Sequence, residues 1–134
     1  MQSGFLFLGA LSALIGVGMG AFGAHGLKAI LSPEMLTVYQ TGVTYQIWHA
    51  LGLIAIALIR QQVPESKLLI WAGWLMFVGI LIFSGSLYLL AILDLKWLGI
   101  FTPIGGVSFM MTWVLIAIFA SKKQHHSRYE NARN

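Results

Sequence analysis

The stretch LLIWAGWLMFVGILIFSGSLYLLAIL, residues 68–93, contains no charged side chain. A membrane's hydrocarbon core is about 30 Å thick and a helix rises about 1.5 Å per residue, so about 20 apolar residues are enough to cross it. Because hydrocarbon leaves no solvent partner for backbone N–H and C=O groups, a chain that crosses it must pair them internally, as a helix does. Residues 68–93 are therefore predicted to form a transmembrane helix.

Three further stretches without charge, 1–27, 35–59 and 97–121, are long enough to do the same. Only 9% of the 134 residues are charged and 58% are hydrophobic, whereas a soluble domain carries roughly 25% charged residues. The chain is thus predicted to be an all-α membrane protein built as a bundle of four transmembrane helices.

Two short sequences mark where helices begin. Ser32-Pro33-Glu34 supplies a capping hydroxyl, a proline at the first helical position and an acid near the positive end of the helix dipole. Thr102-Pro103 repeats the hydroxyl and the proline. The transmembrane domain is predicted to cover residues 1–121, followed by a polar, basic and poorly ordered tail over 122–134. Its helices are expected at about 4–27, 33–61, 67–93 and 103–121.

The positive charges are unevenly divided between the two sides of the predicted bundle. Four spans place the N-terminus, the loop near residues 60–67 and the tail on one side, which holds six of the eight Lys and Arg residues. The other side holds Lys28 and Lys96. Because cytoplasmic loops carry an excess of Lys and Arg, both termini are predicted to be cytoplasmic, in the cytoplasmic (inner) membrane. Trp71, Trp74 and Tyr88 suit the two interfacial belts.

A seam of small residues follows one face of the first helix, with spacings of 4, 3, 4 and 3: Gly9, Ala13, Gly16, Gly20 and Gly23. Small residues let a neighbouring backbone approach closely, so the seam is predicted to be a packing face. The alternative is a substrate path lined by backbone.

The two halves of the chain contain similar short segments. Residues 22–27 resemble residues 83–88, and residues 42–45 resemble residues 106–109. We therefore hypothesise that the bundle consists of two tandem two-helix units related by an axis along the membrane normal.

Polar residues concentrate in the predicted outer half of the bundle. Such groups are costly in hydrocarbon unless they find partners, so they are expected to face the interior and one another. They form either a cavity open to the outside or a hydrogen-bond network that only fixes the helix register. His25 has a further explanation, because a histidine in a last helical turn favours the negative end of the dipole. The candidates are His25, Tyr45, Gln46, His49, Ser84, Ser86 and Ser108.

Several kinds of chemistry find no support in the sequence. The chain has no cysteine, which excludes disulfides and thiolate chemistry. No nucleophile, base and acid stand together, so no enzyme, metal site or cofactor is predicted. A haem held between His25 and His49 is a third hypothesis, and the different depths of the two residues oppose it. The basic residues are few and lie beside the membrane, which argues against nucleic-acid binding.

The sequence predicts a structural or accessory membrane component that contacts lipids. In one interpretation this component forms a homo-oligomer. The alternative is a small transporter or channel for a proton or small solute, which would use the polar cavity in the outer half. Four helices are few for a pathway, so that alternative would require a dimer.

Four segments carry a family resemblance over nearly the whole chain: GAFGAHGL (20–27), QTGVTYQ (40–46) with His49, FSGSLY (83–88) and FTPIGGVS (101–108). The chain resembles the YgdD-type inner-membrane proteins, a family of unknown function with relatives among small eukaryotic transmembrane proteins. This implies a four-helix protein of the cytoplasmic membrane and brings no activity, substrate or catalytic residue.

Overall fold

The computed structural model describes residues 3–133, which form helices joined by short turns. The third span is interrupted by a π-helical turn at Ile80–Ser84, which joins α3 to α4. Short 3-10 turns at Leu27–Ala29 and Lys96–Ile100 lie at the same end of the bundle. The helices are α1 (Ser3–His25), α2 (Pro33–Gln62), α3 (Lys67–Gly79), α4 (Gly85–Leu93) and α5 (Thr102–Arg133).

The ends of the helices follow from local chemistry. The Ser32 hydroxyl accepts a hydrogen bond from the Met35 N–H at 3.2 Å, with Pro33 at the first helical position of α2. The Ser66 hydroxyl caps α3 in the same way, at 3.4 Å from the Leu69 nitrogen. α4 stops at Asp94, which adopts a left-handed conformation with φ of 53°, as residues that follow a helix C-terminus often do.

The four spans pack as a bundle with α2 and the third span at its centre. α1 packs along α2, α5 packs along α3, and α2 also contacts α3 and α4. Large apolar side chains point outward along the spans, among them Leu14, Trp71 and Met110. A soluble monomer rarely exposes an apolar surface of that extent, and all four spans are long and apolar enough to cross a membrane. The predicted all-α bundle of four membrane-spanning helices is confirmed.

The small-residue seam of α1 lies against α2. A Cβ atom added to Gly9 would lie 2.8 Å from Cγ1 of Ile54 and 2.9 Å from the Ala50 carbonyl oxygen. Gly16, Gly20 and Gly23 likewise face α2 side chains, and Ala13 is half-buried. The seam therefore brings two helices of the same chain together.

The last helix differs from its expected course. α5 continues to Arg133 instead of giving way to a poorly ordered tail near residue 122. Residues 122–133 contain no glycine or proline that would stop a helix. Their side chains are exposed, and His126 lies 3.4 Å from the Glu130 carboxylate one turn on. The tail thus extends the fourth span as a polar helix.

Candidate functional site

A set of hydrogen bonds links the helices through buried and part-buried groups within the spans. We call this set the polar network. It connects α1 to α2, α2 to α4 and α5, α4 to α5, and α3 to α5. Its members are Ser12, Gly42, Tyr45, Gln46, His49, Leu75, Ser84, Ser86, Tyr88, Thr102, Ser108 and Trp113.

Gln46 joins three helices. Its Nε2 donates to the Ser12 carbonyl oxygen of α1 at 2.8 Å, and its Oε1 accepts from the Tyr88 hydroxyl of α4 at 2.6 Å. The side chain is only 4% exposed. A primary amide is suited to this position because it carries both donors and an acceptor. Gln46 therefore fixes the relative height of α1, α2 and α4.

His49, near the middle of α2, has partners on both ring nitrogens. Its Nδ1 lies 2.7 Å from the Tyr45 carbonyl oxygen, and its Nε2 lies 3.1 Å from Nε1 of Trp113 on α5. A carbonyl oxygen only accepts and an indole N–H only donates, so the partners assign the proton to Nδ1 and the acceptor role to Nε2. The ring also stacks on Phe109 at a centroid distance of 3.6 Å. This arrangement fits a neutral imidazole.

Ser84, the last residue of the π-helical turn, bonds to the backbone of α2. Its hydroxyl donates to the Gly42 carbonyl oxygen at 2.7 Å and is almost fully buried. A Cβ at Gly42 would lie 2.9 Å from the Tyr88 ring. Gly42 thus lets α4 approach α2 closely enough for Ser84 to reach it.

Ser86 and Ser108 tie α5 to the third span at two levels. The Ser86 hydroxyl bonds to the Phe83 carbonyl oxygen at 2.9 Å and to the Thr102 hydroxyl at 2.8 Å. The Ser108 hydroxyl donates to the Leu75 carbonyl oxygen at 2.6 Å. Both contacts use short side chains, which requires the two helices to lie close together.

Tyr45 participates through its ring and its backbone. Its carbonyl oxygen accepts the His49 bond, and its half-buried ring packs against Phe83 at 4.8 Å between centroids. His25 takes no part in the network: it is exposed at the end of α1. The residues predicted to surround one cavity are therefore distributed over several separate helix contacts.

Sequence reasoning missed important partners in the network. Tyr88 was expected in an interfacial belt, yet it is 9% exposed and bonded to Gln46. Trp113 was not singled out, nor was Tyr39, whose hydroxyl donates to the Met19 carbonyl oxygen of α1. A signal existed in the matching depths of Tyr88 and Gln46 on neighbouring spans.

A cavity of about 300 Å³ lies between α1, α2 and the third span. Gln46 and Tyr88 reach it, but these two side chains already bond to each other. His49 is not among the lining residues, and most of the wall is aliphatic or aromatic, as in Leu11 and Ile80. The wall of this cavity is therefore mainly apolar, as in a groove that faces lipid, and does not form a polar chamber.

Four apolar spans joined by buried hydrogen bonds define a small multi-pass integral membrane protein. The chain belongs to the family described as protein of unknown function (DUF423), whose sequence profile matches residues 19–106.

Two relatives illustrate the similarity. The UPF0382 membrane protein YwdK of Bacillus subtilis is 47% identical over 118 residues, which cover 88% of this chain and 96% of the relative. A UPF0382 membrane protein of Staphylococcus saprophyticus is 49% identical over 114 residues, or 85% and 93% of the two chains. No solved structure matches the chain. Membership in a membrane-protein family of unknown function is thus confirmed, as the sequence resemblance predicted.

Proposed function

We propose that the protein is a structural or accessory component of the cytoplasmic membrane, and that its polar network holds the helices in register. The observation that carries the proposal is His49, whose two ring nitrogens both bond within the protein. A histidine that exchanges protons with water or binds a solute must present a ring nitrogen to that water or solute. The bonds of His49 instead suit a fixed contact between α2 and α5.

The bonding of Gln46 supports the same proposal. Its amide oxygen and nitrogen are both used by groups on neighbouring helices. Interhelical hydrogen bonds of this kind are common in membrane bundles, where they act with small residues to hold helices together. The transport alternative would need these groups to face a hydrated cavity, and no observation favours it.

A flux measurement on proteoliposomes tests the proposal. The protein would be reconstituted with a pH-sensitive dye inside, and proton entry would be compared with protein-free liposomes and with His49→Leu. We expect the wild-type protein and His49→Leu to leave the rate unchanged, while His49→Leu lowers the unfolding temperature. A wild-type flux above the protein-free rate that disappears in His49→Leu would contradict the proposal.

The location and orientation belong to the proposal as well. Six Lys and Arg residues at the end that carries both termini, against two at the other, support cytoplasmic termini. We extend the family likeness to the YgdD-type inner-membrane proteins on the four segments that carry the resemblance. The α1 seam is occupied by α2, so a homo-oligomer would have to form through other surfaces.

A further inference from the structure

Arg60 is a buried cation at the end of the bundle that carries both termini. It lies in the last turn of α2 and is only 9% exposed. Its Nε is buried and has no hydrogen-bond partner among residues 3–133. The sequence alone gave no reason to single it out, because an arginine at a helix end normally extends into the headgroup region.

The protein compensates this charge only in part. The guanidinium lies 5.4 Å from the centroid of the Phe5 ring, a cation–π contact weaker than pairing with an anion. Glu65, five residues further along the chain, is exposed, and within residues 3–133 no ion pair joins it to Arg60. Because a buried charge without an ionic partner is costly, the site favours an anion from outside the chain.

A cavity of about 390 Å³ opens beside the guanidinium, between α1, α2 and α3. Apart from Arg60, its wall is apolar. Arg60 lies near the end of its helix, whereas Trp74 lies seven residues into α3, roughly 10 Å along the helix axis. The wall therefore runs from a cation at the membrane surface to hydrocarbon-like side chains deeper in. The lining residues are Gly4, Phe5, Leu8, Arg60, Ile70 and Trp74.

We propose that this cavity binds an anionic glycerophospholipid, with its phosphate at Arg60 and part of an acyl chain against Phe5, Leu8 and Trp74. A phosphate oxygen accepts from guanidinium N–H donors. Basic pockets between spans suit anionic headgroups. A free phosphate would satisfy the cation but leave the apolar wall without a partner, and a headgroup with its own cation would place that charge near Arg60.

Native mass spectrometry of the purified full-length protein tests this. The protein would be mixed with phosphatidylglycerol or with phosphatidylcholine, the two lipids having identical acyl chains. We expect preferential retention of phosphatidylglycerol, reduced about tenfold by Arg60→Gln, as loss of one charge-assisted contact predicts. Lys67→Gln is the matched control, because it removes the same charge from an exposed position at the same end of the bundle. It should retain phosphatidylglycerol like the wild type.

A second variant protects the test against misfolding of Arg60→Gln. Gly4 lines the cavity, and a Cβ added there meets nothing within 4 Å. Gly4→Leu therefore starts from an unobstructed Cβ, and we expect its side chain to occupy part of the cavity and to reduce retention while Arg60 is intact. The proposal is overturned if both lipids bind equally or if Arg60→Gln and Lys67→Gln behave alike. It is also overturned if inorganic phosphate alone binds at Arg60 and displaces the lipid, which would indicate a free-anion site.

Discussion

The hydrogen bonds of His49 illustrate how single residues act in this bundle. The Trp113 indole supplies the donor that Nε2 accepts, and a second proton on the imidazole would break that bond. In membrane proteins such contacts contribute about 0.6 kcal/mol on average and up to about 1.7 kcal/mol. No one bond therefore determines the stability of the fold. The network matters because its members join different helix pairs.

Replacing the donor of His49 should have a measurable cost. Trp113→Phe keeps an aromatic ring but leaves the buried Nε2 without its partner, so we expect a loss of about 1–2 kcal/mol in the free energy of unfolding. Chemical unfolding in mild detergent would measure it. Trp71→Phe is the control, because Trp71 is 65% exposed at the bundle surface. If Trp113→Phe costs no more than Trp71→Phe, the contact is not stabilising.

The sequence predicted which residues need partners better than it predicted the partners. Gln46, His49 and Ser84 stand out because polar groups within charge-free spans must be satisfied. Tyr88 and Trp113 did not, because a partner is determined by how each helix is rotated against its neighbours. That rotation depends on packing across the whole bundle and has no local pattern in the sequence. Arg60 was missed for a related reason: its burial depends on Phe5, far away in the chain.

At the scale of helices, close approach between α1 and α2 is set by glycine. Gly9 faces the Ala50 carbonyl oxygen and the Ile54 side chain, whereas a Cβ at Gly18 would meet nothing within 4 Å. Replacing glycine by alanine at both positions therefore separates the effect of packing from that of helix propensity. Intrinsic helix propensity favours alanine over glycine by about 0.8–1.0 kcal/mol.

We expect Gly9→Ala to destabilise the protein and Gly18→Ala to leave it unchanged or slightly more stable. Overpacking of this kind typically costs about 1–3 kcal/mol, and at Gly9 two of the three nearest atoms belong to the α2 backbone. Unfolding temperatures of the two variants, measured in the same detergent, would test this difference in stability. Equal shifts would mean that α1 and α2 separate readily and that the seam does not determine their packing.

Two features of the helices could not be predicted from the sequence. The π-helical turn at Ile80–Ser84 adds a residue to one turn of an otherwise ordinary apolar span, and composition does not register such a change. The continuation of α5 differs from the sequence-based expectation because polarity alone does not separate an exposed helix from a disordered tail. A helix that already spans the membrane has its nucleus formed, so further turns need only residues without helix-breaking character.

At the scale of the molecule, the absence of charge in the spans predicted the architecture. Charges confined to the loops, the helix ends and the polar extension of α5 indicate how many times the chain crosses, because each unpaired charge in hydrocarbon is costly. The pairing of α1 with α2, and of α3 with α5, accords with two tandem units. That repeat stays a prediction, since contacts alone do not establish a symmetry axis. Orientation is likewise predicted only from the Lys and Arg count.

Labelling of introduced cysteines would determine that orientation. The chain has no cysteine of its own, so each variant carries a single reactive site. Ala29→Cys lies in the turn after α1, and Ser127→Cys lies on α5 at the opposite end of the bundle; both positions are exposed. With right-side-out vesicles and a membrane-impermeant maleimide, we expect rapid labelling at Ala29→Cys and labelling at Ser127→Cys only after permeabilisation.

The reverse pattern would place six of the eight Lys and Arg residues outside, against the bias that loop charges impose on insertion. Labelling of both variants in intact vesicles would indicate mixed insertion. In either case the Arg60 cavity would lie, at least in part, in the external leaflet, because it sits at the same end as the termini. Reading the two variants together therefore assigns the leaflet from which an anionic lipid must reach Arg60.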